Sequence, residues 1–429
     1  MNLDVVVSEL GLTEAADMLA RQWEQSQECL PAGEIPFLNP DSAAQACRDL
    51  GLSAEVTQAA LAVCSRARGN AALEALAWHF HYCLFRAARY RHEWIEDWPS
   101  FQGVLDQNAG MFYVVVLLSR LPKLQEENRT RGVPEEVARD TLRDLARSIE
   151  HHRHHGARAL GLRSHEVAWF ANFVRGDLYR LGRLQFQFSS FYLEVRAFRH
   201  RPSGAVLALS DEGVRYQSNG QLAGGDGEGR ADDTWTARLL IGEEEIVGFP
   251  ILPTGRALPR EARLPASEWT QVLGRRDPTL NVHMPDGGPL GHAACGESFR
   301  RALEFFPRHF PDRPFRGFCC TSWLLDGQLE SWLPLTSNMV RFQHEVYLVP
   351  IGMDTDDLVR TVFHGRLQDL AKAPRDTTLQ RAIVDHLLAG GRLEPTAGGC
   401  FLLREDFDWG GEVYRRQDLA RFIGSVSSG

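Results

Sequence analysis

No segment of this 429-residue chain is apolar for long enough to span a bilayer. The longest apolar run, MFYVVVLL from Met111 to Leu118, falls far short of the ~20 residues a spanning helix needs. The opening MNLDVVVSEL has no basic n-region, so no secretory signal is read there and a cytoplasmic location is expected. No Cys-x-x-Cys pair occurs among the scattered cysteines (Cys29, Cys47, Cys64, Cys83, Cys295, Cys319, Cys320 and Cys400). They read as small buried hydrophobes in a reducing compartment. Even adjacent Cys319 and Cys320 point to opposite faces of a strand, which makes them poor partners for a shared metal. Positive charge is in deficit: 47 Lys and Arg against 56 Asp and Glu leave a net charge of −9. That balance disfavours a general nucleic-acid binder. No internal repeat is visible.

What is present is the composition of a folded protein, 44% hydrophobic and 24% charged. The length exceeds what one core usually serves, so two or three packed units are expected. To about residue 165 the hydrophobic period is helical. NAALEALAWHFHYCLFRAARY puts Leu73, Leu76, Ala77, Phe80, Leu84 and Ala87 on one stripe. VPEEVARDTLRDLARSIEHH opens with Pro134 and two acids in its first turn, where the helix dipole favours them. Near Gly182 the period becomes two, as in LQFQFSSFYLEVRAF. AVLALSDEGVRYQ reads as a hairpin, PASEWTQVL as a short helix, and NMVRFQHEVYLVP as a long strand. GQLAGGDGEGRADD reads as an exposed loop, and TTLQRAIVDHLLAGG as a helix closed by Gly390 and Gly391.

The candidate chemistry lies where the strand TLNVHM passes through PDGGPLG into the helix HAACGESFRRALEFF. A glycine-rich loop between a strand and a helix presents backbone N–H groups at the positive end of the helix dipole, which suits phosphate. The loop is neither a Walker A loop, since no Gly-Lys-Ser/Thr follows, nor a G-x-G-x-x-G turn. The alternative is a turn that merely reverses the chain. His283, just before it, is placed to act as a general base or to serve as a core histidine bonded to backbone. In CCTSWLLD, Cys320 and Ser322 can face a substrate, Cys320 even as a nucleophile with His283, or lie in a buried strand. His151, His152, His154 and His155 allow a metal pair at i,i+4 spacing but read better as a solvated helix end. Arg175, Arg180 and Arg183 read as salt-bridge partners between domains, with phosphate binding as the rival.

The segments FVRGDLYRLGRLQFQF, LNVHMPDGGPLGHAACGESFRRALEFFPRHFP, CTSWLLDGQLESWLPLTSNMVRFQ and PRDTTLQRAIVDHLLAGG resemble a family of bacterial acyltransferase-domain proteins. That family joins a helical N-acyltransferase N-terminal domain to a GNAT-like C-terminal domain. The resemblance implies an α+β protein with three parts: a helical domain over 1–165, a GNAT-like mixed α/β acyltransferase domain over 166–350, and a helical and strand extension over 351–429 packed on it. It implies an acyl group moved from acyl-coenzyme A, or from an acyl carrier protein, to a small-molecule or peptide amine, with no metal. By position in the fold, Gly287, Gly288, Leu290 and Gly291 would hold the donor's pyrophosphate, although the usual Gln/Arg-x-x-Gly-x-Gly/Ala signature is missing. Met284 would supply an oxyanion N–H. His283 would be the base, and Ser322 or Tyr347 would return a proton to the leaving thiolate. Two rival readings are a catalytically inactive GNAT-like binding or regulatory protein and a Cys/His hydrolase.

Overall fold

Helices fill the first part of the chain because their caps and apolar stripes agree. Asn39 caps Pro40–Leu50 (α1), with Pro40 at the first position, where its missing N–H costs nothing. Ser53 caps Ala54–Arg68 (α2) through the Val56 N–H, and Asn70 caps Ala71–Phe85 (α3) through the Leu73 N–H at 2.8 Å. Ala109–Leu118 (α4) is buried on nearly every side, which suits its uninterrupted apolar sequence. Glu135–His151 (α5) and Ser164–Arg175 (α6) follow. The core includes an aromatic cluster in which Phe80 stacks on Trp98 at 4.1 Å and Phe101 packs on Phe112 at 4.3 Å. Strand Leu178–Leu181 closes this compact unit, which runs from Met1 to Leu181.

This computed structural model describes every residue except 89, 92, 152–159, 224–233, 286, 353–354, 364, 366, 368, 392–395 and 424–429. His152, His154, His155, Asp286, most of the Gly- and acid-rich segment and the SVSSG tail lie outside the described residues, as does the side chain of His151. Among the described residues no helix is long and apolar enough to cross a membrane.

The second unit, Gly182–Gly429, is built mainly on two large sheets, with a three-stranded and a two-stranded sheet beside them among the described residues. Its principal strands are Leu184–Ser190 (β1), Val195–His200 (β2), Val206–Ser210 (β3), Pro250–Leu252 (β4), Trp269–Leu273 (β5), Pro278–His283 (β6), Gly317–Ser322 (β7), Tyr347–Gly352 (β8) and Thr396–Leu403 (β9). Within this unit one sheet runs β1-β6-β7-β9-β8; the other runs β4-β3-β2-β5, with the short strand Arg256–Ala257 at its edge beside β4. In the first, only β6 and β7 are parallel. The connection between them carries the long helix His292–His309 (α7), as a parallel crossover requires. Phe299 of α7 meets Phe186 of β1 at 5.5 Å and Phe318 of β7 at 4.9 Å, which fixes the helix on the sheet.

The α+β class and the change from helix to strand agree with the sequence; several local readings do not. The reading set a domain change at 165 and an extension from 351. The compact units divide between Leu181 and Gly182, and β9 from that last segment is hydrogen-bonded between β7 and β8. PASEWTQVL is strand rather than helix, because Trp269 and its neighbours pair with His200–Ala197 of β2. NMVRFQHEVYLVP divides into helix Asn338–His344 (α8), capped by Ser337 at the Val340 N–H, and strand β8. The expected hairpin at Asp211–Gly213 does not form. β3 pairs with β2 and β4, and Arg215–Gln217 pairs with Thr234–Thr236. Thr378–Leu388 (α9) ends as expected, with Gly390 at a φ of 85°.

Candidate active site

The site begins where two parallel strands part. β6 and β7 pair at Thr279 with Gly317, Leu280 with Phe318, and Asn281 with Cys319; the pairing stops there. β6 continues to His283 beside β1, and β7 continues to Ser322 beside β9. A cleft of about 670 Å³ opens at their ends. His283, Met284, Gly287, Gly288 and Leu290 line one side, and Cys320, Thr321, Ser322 and Trp323 the other.

The loop between β6 and α7 is held from behind. Arg183 sends its guanidinium to three loop carbonyls: Pro285 at 2.7 Å, Gly288 at 2.9 Å and Pro289 at 3.1 Å. Its own N–H donates to Ser298 Oγ of α7 at 2.9 Å. With its carbonyls so engaged, the loop has N–H groups left to offer. Among the described residues, no hydrogen bond is donated by the backbone of Met284, Gly287, Gly288, Leu290 or Gly291. α7 adds the orphan N–H groups of its first turn, since Gly291 gives it no side-chain cap. Gly287 and Gly288 have φ values of 122° and 114°, a region in which a β-carbon is strained. A β-carbon on Gly288 would meet nothing within 4 Å, so that face of the loop is open.

The first turn of α7 is pinned as well. Trp409 Nε1 donates to the His292 carbonyl at 2.9 Å, and the Gly296 position has no room for a β-carbon against the Trp409 ring. His292 bonds Glu345 through Nε2 at 2.7 Å and accepts from Arg341 at Nδ1 at 3.1 Å. Glu345 in turn accepts from the Gly410 N–H at 2.8 Å.

His283 is half-buried on β6, and Gln187 Oε1 lies 2.9 Å from its Nε2. A carbonyl there fixes the proton on Nε2 and leaves the lone pair on Nδ1. Burial lowers the imidazole pKa to about 4, so the ring is neutral at physiological pH. Strand register divides the candidates by face. His283 lies opposite Gln185, and Asn281 opposite both Gln187 and Cys319, so these side chains and Thr321 share one face. Ser322 and Cys320 belong to the other face, with Val282. The two strand ends still line one cleft, because the sheet has opened at that point. Ser322 Oγ accepts from the Leu324 N–H at 3.2 Å, which leaves its proton for another acceptor. Burial pushes the Cys320 thiol up to about 12 and keeps it protonated, against a nucleophilic role.

Tyr347 is elsewhere. It is 0% exposed and does not line the cleft. Its hydroxyl donates to the Ile251 carbonyl at 2.5 Å and accepts from the Ala208 N–H at 3.1 Å, tying β8 to β3 and β4. The other two arginines have partners in the helical unit. Arg180 pairs with Asp144 at 2.9 Å, and Arg175 donates to the Leu84 carbonyl, both inside the first unit. Two site residues escaped the sequence reading. Gln187 could have been found from LQFQF, whose glutamines lie opposite the core phenylalanines. Tyr192 had no signal; its hydroxyl donates to Thr321 Oγ1 at 3.2 Å and approaches Asn281 Oδ1 at 3.4 Å, where β6 and β7 part. Burial raises its pKa, so it too stays protonated. Among the described residues there is no cluster of three metal-ligating side chains.

A parting parallel strand pair, followed by a glycine loop and an uncapped helix, is a fold feature that can be compared. Residues 178–400 match the family described as a GNAT-like C-terminal domain. The chain belongs to that family. Residues 41–176 match the N-acyltransferase N-terminal domain, and the two together make the GNAT-like chain an acyltransferase. Among solved structures, a mutant acyltransferase in complex with octanoyl-CoA is similar with a TM-score of 0.59 and 24% identity, over 94% of this chain and 99% of that one. An acyltransferase in complex with decanoyl-CoA and teicoplanin is similar with a TM-score of 0.58 and 24% identity, over the same shares. At this identity the likeness is one of fold. No curated protein matches the chain by sequence.

Proposed function

We propose that this protein transfers an acyl group from acyl-coenzyme A to the amine of a small molecule or peptide. The observation that carries the reading is the end of β6. The strand leaves β7 after Asn281 and runs into a loop whose carbonyls face Arg183 and whose N–H groups meet the start of α7. Such a surface offers many donors, as a pyrophosphate requires. Gly287, Gly288, Leu290 and Gly291 hold the phosphates. The thioester reaches the gap between β6 and β7, where the Met284 N–H can stabilise the oxyanion of the tetrahedral intermediate. The bound ligands of the similar structures, octanoyl- and decanoyl-CoA and a glycopeptide, support the donor and the type of acceptor.

In this mechanism the amine lone pair attacks the thioester carbon, the carbonyl electrons move to oxygen, and their return breaks the C–S bond. His283 takes the amine proton, directly or through water. Its low pKa makes it an acceptor that is always unprotonated near neutrality but gains little from proton transfer on its own. The thiolate leaves with a proton from Ser322 or Tyr192. The test is coenzyme A release from octanoyl-CoA, followed with a thiol reagent, with and without a panel of amines. Amine-dependent release with an N-acyl product by mass spectrometry supports the reading. Coenzyme A binding by calorimetry with no turnover on any amine points instead to the non-catalytic binding protein. Binding only to acylated carrier protein moves the donor to that class.

A further inference from the structure

The helical unit contains a cavity that the acyl-transfer reading does not use. It measures about 300 Å³ and lies among α1, α2, α3 and α4. Phe37, Ala43, Ala46, Val115 and Leu118 are among the residues that make its wall apolar. An apolar cavity of ~150 Å³ is enough to take up benzene, so this one holds a chain of about ten carbons. Left empty, it would forfeit the dispersion contacts of its whole lining.

One end is polar. His81 is stacked on Phe37 at 5.2 Å and on Trp78 at 5.1 Å, and its Nδ1 lies 2.6 Å from Ser119 Oγ. That hydroxyl can donate either to His81 Nδ1 or to the Val116 carbonyl at 2.5 Å. When it turns to Nδ1, the imidazole carries its proton on Nε2 and becomes a donor. At the mouth, the exposed Arg86 lies over the Trp78 ring at 5.1 Å. Among the described residues no carboxylate or carbonyl pairs with its guanidinium. An unpaired cation, a histidine with an adjustable proton and an apolar tunnel of this size specify an amphiphile with a negative head.

We propose that this cavity is a binding site for a medium-chain carboxylic acid, with its tail among Ala46, Val115 and Leu118 and its carboxylate on Arg86 and His81. The proposal does not depend on the acyl-transfer reading. Calorimetric titration of the full chain with hexanoate, decanoate and hexadecanoate tests it, with 1-decanol as the uncharged probe. Decanoate is expected to bind one per chain and more tightly than the other two acids. Arg86→Gln should weaken decanoate about tenfold or more while leaving 1-decanol within about twofold. Ala46→Phe fills the cavity and should abolish both. Ser42→Trp, at an exposed position on the rim, does the same without touching the core. Absence of binding by all three acids, equal losses of acid and alcohol in Arg86→Gln, or undiminished binding in Ser42→Trp overturns the proposal.

Discussion

The cavity of the helical unit and the cleft of the second unit are made of different parts of the chain. Helices satisfy their own backbone, so the cavity among α1 to α4 recognises a ligand mainly through side chains: an apolar wall, an imidazole with the Ser119 hydroxyl beside it, and a guanidinium. The cleft arises because a sheet comes apart. Where β6 leaves β7, backbone groups that would be paired face solvent, and the loop to α7 adds more. In the proposed function, recognition there is by peptide N–H groups, with side chains such as Arg183 acting from behind. Substitutions should therefore subtract contacts in the first case and deform a surface in the second.

The largest effect expected is on chemistry. His283→Ala removes the only imidazole lining the cleft among the described residues and should lower kcat by ~10²–10⁴, with the melting temperature nearly unchanged. A variant that unfolds early but keeps its turnover per folded molecule would make His283 a structural residue, like His79, which is 0% exposed and bonded to Ser26.

Next come substitutions that deform the loop. Arg183→Met leaves the carbonyls of Pro285, Gly288 and Pro289 without their donor and lets them turn toward the phosphates. Coenzyme A affinity by calorimetry should fall about tenfold or more, and KM should rise more than kcat falls. Gly288→Val acts at the same place through its φ of 114° and should weaken coenzyme A, with a loss of stability no larger than the ~1–3 kcal/mol that one strained loop residue costs. Equal affinity in both variants would remove the loop from the donor site.

Tyr347→Phe tests the opposite assignment. It leaves the Ala208 N–H and the Ile251 carbonyl short of a buried partner, so urea unfolding should show a loss of about 1–3 kcal/mol. The kcat of folded enzyme should not change; a loss of kcat would return Tyr347 to the reaction.

The smallest effect is on pH dependence, and here the two regions converge. Burial lowers the pKa of His283, and burial followed by Arg86 and Arg120 lowers that of His81, each from 6.5 to about 4. Between those values the unfolded chain binds protons that the folded chain refuses. The stability these residues contribute is complete above about pH 6.5 and is lost as pH falls toward 4. Urea midpoints at pH 7 and 4.5 should differ less in His81→Gln and His283→Gln than in the parent. Only His283→Gln should also remove an acid limb near pH 4 from the rate profile.

The order strand, glycine loop, amphipathic helix was legible because it rests on local patterns: β-formers, Gly287 and Gly288 side by side, and a 3.6-residue stripe. The long helices of the first unit were legible for the same reason. What failed rests on partners distant in sequence. ASEWTQ carries a plausible helix start, yet pairing with β2 overrides that preference. Tyr347 looked like a proton donor because nothing in its own segment shows that Ile251 and Ala208 enclose its hydroxyl. Arg183 was visible as a charge, but not as the residue that gathers the carbonyls of Pro285, Gly288 and Pro289.

The place of β9 has a consequence for biosynthesis. Gly317 of β7 pairs with Leu403, and Tyr347 of β8 pairs with Phe401, so a strand made late separates two made earlier. While the ribosome is still translating the α9 region, β7 and β8 both present open edges to solvent or to each other. The helices of the first compact unit, all of them before residue 181, can fold during that interval. The second unit must wait for residues 396–403 to emerge. A nascent chain stalled before that point is a natural client for chaperones that shield strand edges.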